Sequence, residues 1–324
     1  MNVLVTGNLP KDVIAGISDR HSVTVHARDY PMPREEMLAR VGGKQGLLSM
    51  ITDTVDRELF DLAPDLRIVA NFGVGYNNID VAAASRRGIM VTNTPDVLTD
   101  ATADLTWALL LAVGRRVVEG DRHTRDGLFR FWAPFHFLGH EISGKILGII
   151  GMGRIGAAVA RRAAGFNMSV IYHNRKRLAP EKEQALGVRF VDLETLLRTA
   201  DFVSLHVPLT PDTLHLIDAG ALSLMKAGAF LINTSRGPVV DEAALLSALQ
   251  QGRIAGAGLD VYEHEPALTP GLTDLHNVIL LPHAGSATVE TRNRMGALAA
   301  ENLLAGLDGR VPPNCVNCDL LKRR

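Results

Sequence analysis

Lys145-Ile-Leu-Gly-Ile-Ile-Gly-Met-Gly-Arg-Ile-Gly156 is the most informative segment of the 324-residue chain. Its apolar run, 146–150, reads as a buried strand, Gly151-x-Gly153-x-x-Gly156 as a tight turn, and the alanine-rich 157–164 as the helix that follows. In such a unit Gly151 permits the turn, Gly153 lets a pyrophosphate approach the backbone, and Gly156 lets helix and strand pack closely. The helix N-terminus adds N–H groups and a positive dipole end, so a dinucleotide is the expected ligand.

On both sides of this unit, short apolar runs alternate with helical patterns. After it, 169–173, 188–191, 202–207, 229–233, 256–261 and 278–281 read as strands, with helices such as 192–199 and 241–251 between several of them. That alternation builds a doubly wound parallel sheet. Before it, 3–6, 23–26, 46–50, 66–70 and 89–92 read as strands of a smaller parallel α/β unit, with helices at 34–41 and 80–87. One long helix is expected from Asp100 to about Gly127, capped by Thr99 or Asp100, followed by a loop over 129–144. A final helix, about 287–307, has no strand behind it.

With 47% hydrophobic residues, 21% charged residues and a formal net charge of -1, the chain can fill cores and carries no bias toward nucleic acid or membrane. The apolar run 105–113 is too short to span a bilayer, and the opening Met1-Asn-Val-Leu-Val-Thr-Gly7 reads as a strand rather than a leader. A soluble, cytoplasmic protein is expected. Cys315 and Cys318 form a CVNC pair for which a redox couple or half a metal site is open, chance placement in an exposed tail being the simpler reading. No metal is expected.

An NAD-binding unit usually carries an acidic residue about 20 positions beyond the glycines to hold the ribose 2′-hydroxyl. Here no Asp or Glu lies between Glu141 and Glu181, and the second strand ends in His173-Asn174-Arg175-Lys176-Arg177. Three cations and no carboxylate in that turn favour NADP(H), although Asn174 leaves NAD(H) open. Ligands of open α/β sheets gather at the carboxyl ends of strands. There the sequence places His206, Arg236, Asp260 and His283, with Glu265 in the loop after one strand, and the glycine turn 71–80 at another.

The runs Asn233-Thr-Ser-Arg-Gly-Pro-Val-Val-Asp-Glu-Ala-Ala-Leu245, Gly258-Leu-Asp-Val-Tyr-Glu-His-Glu-Pro266 and Leu281-Pro-His-Ala-Gly-Ser-Ala-Thr288 resemble signatures of the D-isomer-specific 2-hydroxyacid dehydrogenases. Segments 71–80, 94–105 and 145–156 resemble that family in order and spacing, so nearly the whole chain is covered. The resemblance implies reduction of a small 2-keto acid to the D-2-hydroxy acid by a catalytic set of Arg236, Glu265 and His283. An Arg fork can bind the carboxylate and polarise the ketone. An imidazole can donate the proton, and a neighbouring carboxylate favours its charged form.

Further roles are implied position by position. Val74 and Gly75 would offer N–H groups to the substrate carboxylate. Thr102 would face the nicotinamide or phosphates, Arg154 and Ile155 the pyrophosphate, and Asn174, Arg175 and Lys176 a 2′-phosphate. His206, Val207 and Pro208 would line the adenosine side, near Thr213, while Thr234 and Asp260 would meet the nicotinamide side. The implied architecture is a Rossmann cofactor domain, 99–285, inserted in a flavodoxin-like substrate domain formed by 1–98 and 286–324. Homodimers packed through the cofactor domain are expected, with 129–138 contributing. Within the family the basic turn resembles the NADPH-dependent glyoxylate and hydroxypyruvate reductases. A broader 2-keto acid specificity, including 2-ketogluconate or an aryl pyruvate, stays open, as does a non-catalytic dinucleotide-sensing protein of the same fold.

Overall fold

A computed structural model describes residues 1–321. The chain forms two compact units, Met1–Leu98 together with Ser286–Arg324, and Thr99–Gly285. The first unit begins with β1 (Asn2–Val5), α1 (Lys11–Ser18), β2 (Ser22–Val25), α2 (Arg34–Val41), β3 (Gly46–Met50), α3 (Arg57–Leu62), β4 (Ile68–Phe72), α4 (Val81–Arg86) and β5 (Met90–Thr92). Its five strands are parallel in the order β2-β1-β3-β4-β5. β4 is buried along its whole length and β3 nearly so, which is why neither shows a strict alternation of apolar and polar residues. Asp56 and Asp80 start α3 and α4 by accepting from Leu59 N and Ala83 N, at 3.2 and 2.8 Å.

The second unit runs α5 (Thr99–Gly114), α6 (Val117–Arg125), β6 (Ile146–Ile150), α7 (Arg154–Ala163), β7 (Ser169–His173), α8 (Pro180–Leu186), β8 (Val188–Phe190), α9 (Leu193–Thr199), β9 (Phe202–Leu205), α10 (Ala219–Leu224), β10 (Phe230–Asn233), α11 (Glu242–Gln250), β11 (Gly256–Leu259) and β12 (Val278–Leu280). Its seven parallel strands take the order β12-β11-β10-β9-β6-β7-β8. The chain therefore reverses direction across the sheet at β6, whose neighbours are β7 and β9. Ligands of doubly wound sheets bind at this crevice. Two cores fill the layers, one containing Leu196, Leu222, Leu245 and Ile254, the other Trp107, Leu110, Val159 and Phe230. Trp107 joins α5 to α7 by donating to Val159 O at 3.1 Å, and its ring stacks on Phe166 at 4.6 Å. Such a stacked pair is worth roughly 0.5–1.5 kcal/mol beyond its buried area.

The single long helix expected over 100–127 is two helices. Arg116 adopts a left-handed φ of 55° between α5 and α6. The cause is tertiary: the returning loop supplies His140 N to Gly114 O at 2.7 Å, while Arg116 lies 4.2 Å over the Phe137 ring and donates to Leu138 O. The incoming His140 N–H thus satisfies one of the last carbonyls of α5, at the point where the helical path stops.

The last segment returns to the first unit as α12 (Val289–Leu307) and α13 (Cys318–Leu321). α12 lies so close to the sheet that a Cβ on Gly306 would meet Ile68 Cδ1 at 2.4 Å. The CVNC pair is not an exposed tail. Cys315 bridges Thr92 and is disulfide-bonded to Cys318, and the buried Asn317 between them accepts from Val91 N and donates to Ser85 Oγ and Ile89 O. Among the described residues no helix is long and apolar enough to cross a membrane, and no cluster of three His, Cys, Asp or Glu could hold a metal ion.

Candidate active site

The glycine turn is shaped by three different constraints. Gly151 has φ 102°, and a Cβ there would stand 2.6 Å from the His206 carbonyl carbon; on Gly156 it would stand 2.2 Å from Gly151 O. On Gly153 it would meet nothing within 4 Å. Gly151 and Gly156 are thus required by the protein's own backbone, whereas Gly153 borders open space at the N-terminus of α7, where no side chain caps the helix. That combination fits a pyrophosphate.

The turn after β7 divides its polar groups. Asn174 Oδ1 accepts from Met152 N at 2.6 Å, so this side chain braces the glycine turn. Arg177 is committed to Glu183, which also accepts from the Tyr172 hydroxyl; these two partners, Arg177 foremost, hold the Glu183 carboxyl down at about 2. Arg175 and Lys176 remain exposed, Arg175 lying 3.6 Å from Asp212 of a neighbouring loop. A carboxylate does therefore approach this turn, although none lies within it.

On the far side of β6, burial depresses the His206 imidazole to about 3, leaving a neutral ring whose Nε2 pairs with Ser204 Oγ at 2.9 Å. The loop beyond Val207 is closed by Thr213, whose hydroxyl donates to Pro208 O at 2.6 Å and accepts from Thr210 N. Thr102, Thr106 and Thr234 form a buried chain, Thr106 Oγ1 lying 2.8 Å from both Thr102 O and Thr234 Oγ1.

Arg236, Glu265 and His283 come from the exits of β10, β11 and β12. Glu265 Oε2 lies 2.7 Å from His283 Nδ1, and Glu265 Oε1 accepts from Tyr262 N at 3.0 Å. Burial pushes the Glu265 carboxyl up, but His283, the Tyr262 N–H and Arg236 outweigh it and hold the group below its ordinary value. An ionised carboxylate only accepts, so Nδ1 carries the shared proton and Nε2 is left as the nitrogen able to exchange one. Burial lowers Arg236, and the charge of Glu265 opposes that effect. The buried Asp260 accepts from Ala284 N and Gly285 N at 2.7 and 2.8 Å, which folds the chain back after His283. His283 itself has φ 55°, a rare conformation for a side-chain-bearing residue.

In the first unit, the turn after β4 is arranged by its carbonyls. Thr94 N donates to Gly73 O at 3.0 Å, Asn93 Nδ2 to Val74 O at 2.7 Å, and Asn71 Nδ2 to Gly75 O at 2.8 Å. Because a trans peptide points N–H and C=O in opposite directions, the Val74 and Gly75 N–H groups face away from these anchors. Consecutive N–H groups so directed suit an anion.

Sequence reasoning missed Tyr262, Glu242 and Glu263, which support the Glu265 loop. Their signal was only an acidic residue at a helix start and a Tyr within a strand-exit run, neither of which reveals a long-range partner.

Residues 107–285 match the family model for the D-isomer specific 2-hydroxyacid dehydrogenase, NAD binding domain. The chain is 51% identical over 323 residues to a glyoxylate reductase of Thermococcus litoralis, covering 98% of this chain and 97% of that protein. A crystal structure from Thermus thermophilus superposes with a TM-score of 0.91 at 50% identity, covering 98% of this chain and 100% of the other. The NADPH-dependent glyoxylate/hydroxypyruvate reductase of Sinorhizobium meliloti, solved with NADP and malonate, gives 0.86 at 37% identity over 97% and 96% of the two chains. With a nicotinamide-dinucleotide unit matched by the family model and near-complete alignment to these relatives, the chain belongs to the D-isomer specific 2-hydroxyacid dehydrogenases.

Proposed function

We propose that the protein reduces glyoxylate or hydroxypyruvate to the corresponding 2-hydroxy acid, with NADPH preferred over NADH. The observation that carries this reading is the 2.7 Å pairing of Glu265 with His283 Nδ1 on the strand exits that also present Arg236. Gly151, Gly153, Arg154, Ile155 and Gly156 would hold the pyrophosphate, His206, Val207, Pro208 and Thr213 the adenosine side, and Thr102, Thr234 and Asp260 the nicotinamide side. The reduced nicotinamide supplies a hydride when bound. Arg236 binds the 2-oxo acid and polarises its carbonyl, His283 Nε2 gives the carbonyl oxygen its proton, and Glu265 keeps the imidazole oriented through Nδ1. Val74 and Gly75 serve the substrate carboxylate. Exposed Arg175 and Lys176 support the preference for a 2′-phosphate, and the similarity to glyoxylate reductases supports the substrate.

Steady-state oxidation of NADPH and NADH, each with glyoxylate, hydroxypyruvate, pyruvate and phenylpyruvate, tests the reading. Highest kcat/KM for NADPH with one of the first two substrates is expected. Preference for phenylpyruvate would transfer the assignment to a broader keto-acid reductase, and dinucleotide binding without turnover would leave a sensor.

A further inference from the structure

The loop carrying Glu265 is fastened at both ends by one buried carboxylate outside the catalytic set. Glu242, the first residue of α11 and 2% exposed, accepts from Glu263 N at 2.7 Å through Oε1 and from the Thr269 hydroxyl at 2.6 Å through Oε2. Glu263 returns the contact, its carboxylate accepting from Glu242 N at 3.3 Å while pairing with His215 Nε2 at 2.6 Å. Residues 263 and 269 bracket Glu265 on either side.

The peptide held in this way is also a shared reference for all three strand exits. Tyr262 N donates to Glu265 Oε1. The Tyr262 hydroxyl donates to Leu281 O at 2.7 Å, two residues before His283. A Cβ on Gly237, directly after Arg236, would lie 1.8 Å from the Tyr262 carbonyl. Only a glycine lets the Arg236 segment press on that peptide, so a displacement at 262–263 is transmitted to Arg236, Glu265 and His283 together.

From this juxtaposition we infer that Glu242 is a positioning residue: by anchoring Glu263 N and Thr269 it holds the Tyr262–Glu263 peptide where Glu265 meets His283 in register with Arg236. The inference rests on the reductase reading above for its kinetic consequence, though its structural content stands apart. Misplacing reacting groups by about 1 Å costs about 100-fold in rate. Glu242→Ala is therefore expected to lower kcat for keto-acid reduction by roughly 10- to 100-fold, with KM for keto acid and dinucleotide changed by less than about threefold. The solvent deuterium isotope effect on kcat should rise, because proton transfer from the loosened imidazole becomes slower. Glu242→Gln keeps an acceptor for Glu263 N and should restore most of kcat. Thr269→Val removes only the second anchor and should give an intermediate loss.

The second measurement needs no substrate. In the ¹H–¹⁵N spectrum of histidine-labelled protein, the Nδ1 proton shared by His283 and Glu265 should give a downfield resonance, assigned by its loss in His283→Gln. It is expected in the wild type and Glu242→Gln, and lost or shifted upfield in Glu242→Ala. Wild-type kcat together with an unmoved resonance in Glu242→Ala would overturn the inference; should that variant not fold, the same result in Thr269→Val would do so. A wild type inactive on every keto acid would instead refute the reductase reading, and the resonance would still decide the role of Glu242.

Discussion

His283 combines two demands in one residue: a left-handed backbone and a side chain fixed at Nδ1. The Asp260 carboxylate meets the first by receiving Ala284 N and Gly285 N, and Glu265 meets the second. Replacing His283 by Ala should lower kcat by roughly 100- to 10,000-fold, the usual range for a lost general acid. The dinucleotide dissociation constant, read by nicotinamide fluorescence, should stay near wild type; undiminished turnover would remove His283 from the mechanism. At the β7 turn the expected partner of a 2′-phosphate is Arg175, since Arg177 is engaged by Glu183. Arg175→Asp should raise KM for NADPH far more than for NADH, and equal increases would assign the turn to the surface alone. Glu183 also sets a pH dependence. Its carboxyl falls from an ordinary 4.5 to about 2 in the folded chain, so its stabilisation is complete above 4.5 and disappears as pH drops through about 2. The melting-temperature difference between wild type and Glu183→Gln should therefore narrow over that interval, and a gap constant with pH would show that the Arg177 pairing does not contribute.

Elements were legible where their signal is local. The apolar runs that become β3 and β7 keep their expected ends, and α2 keeps both of its own, because burial on two faces or a 3.6-residue stripe is written in adjacent residues. The break at Arg116 was not, since its cause is a loop returning from 137–140. The same division holds in the site. Gly151, Arg236, Glu265 and His283 stand at strand exits that alternation locates, whereas the anchoring of Glu265 by Glu242 spans 21 to 27 positions through contacts that no short window contains. Likewise the Asn317 bonds of the last segment reach Val91 of β5 and Ser85, far upstream. One prediction belongs to this scale. Gly156→Ala would place a methyl group against Gly151 O, forcing strand-to-helix spacing to open. Overpacking of this kind costs about 1–3 kcal/mol. Thermal melts should show that loss together with at least tenfold weaker dinucleotide binding, and unchanged binding would mean the turn does not face the pyrophosphate.

For the molecule as a whole, the second unit exposes an unusual run of rings. Phe131, Trp132 and Phe135 are 61%, 79% and 87% exposed, with Phe129 and Leu138 beside them in sequence. Several large apolar side chains exposed within one short segment suit an interaction site. A homodimer is the proposed occupant, and sedimentation equilibrium should give twice the chain mass, with Trp132→Ser plus Phe135→Ser shifting it toward the monomer. A monomeric wild type would refute the assembly. The division of the first unit between the two ends of the chain carries a different consequence. β3 and β4 receive α12, whose Gly306 seats on Ile68 and whose Leu303 approaches Gly46, only after everything from Thr99 to Gly285 has been translated. On the ribosome the seven-stranded sheet can therefore finish while the five-stranded one still lacks its closing helix. Ile68 and its neighbours would meet solvent, or a chaperone, for the time taken to synthesise the insert, so a helix made after the insert completes the first-made sheet.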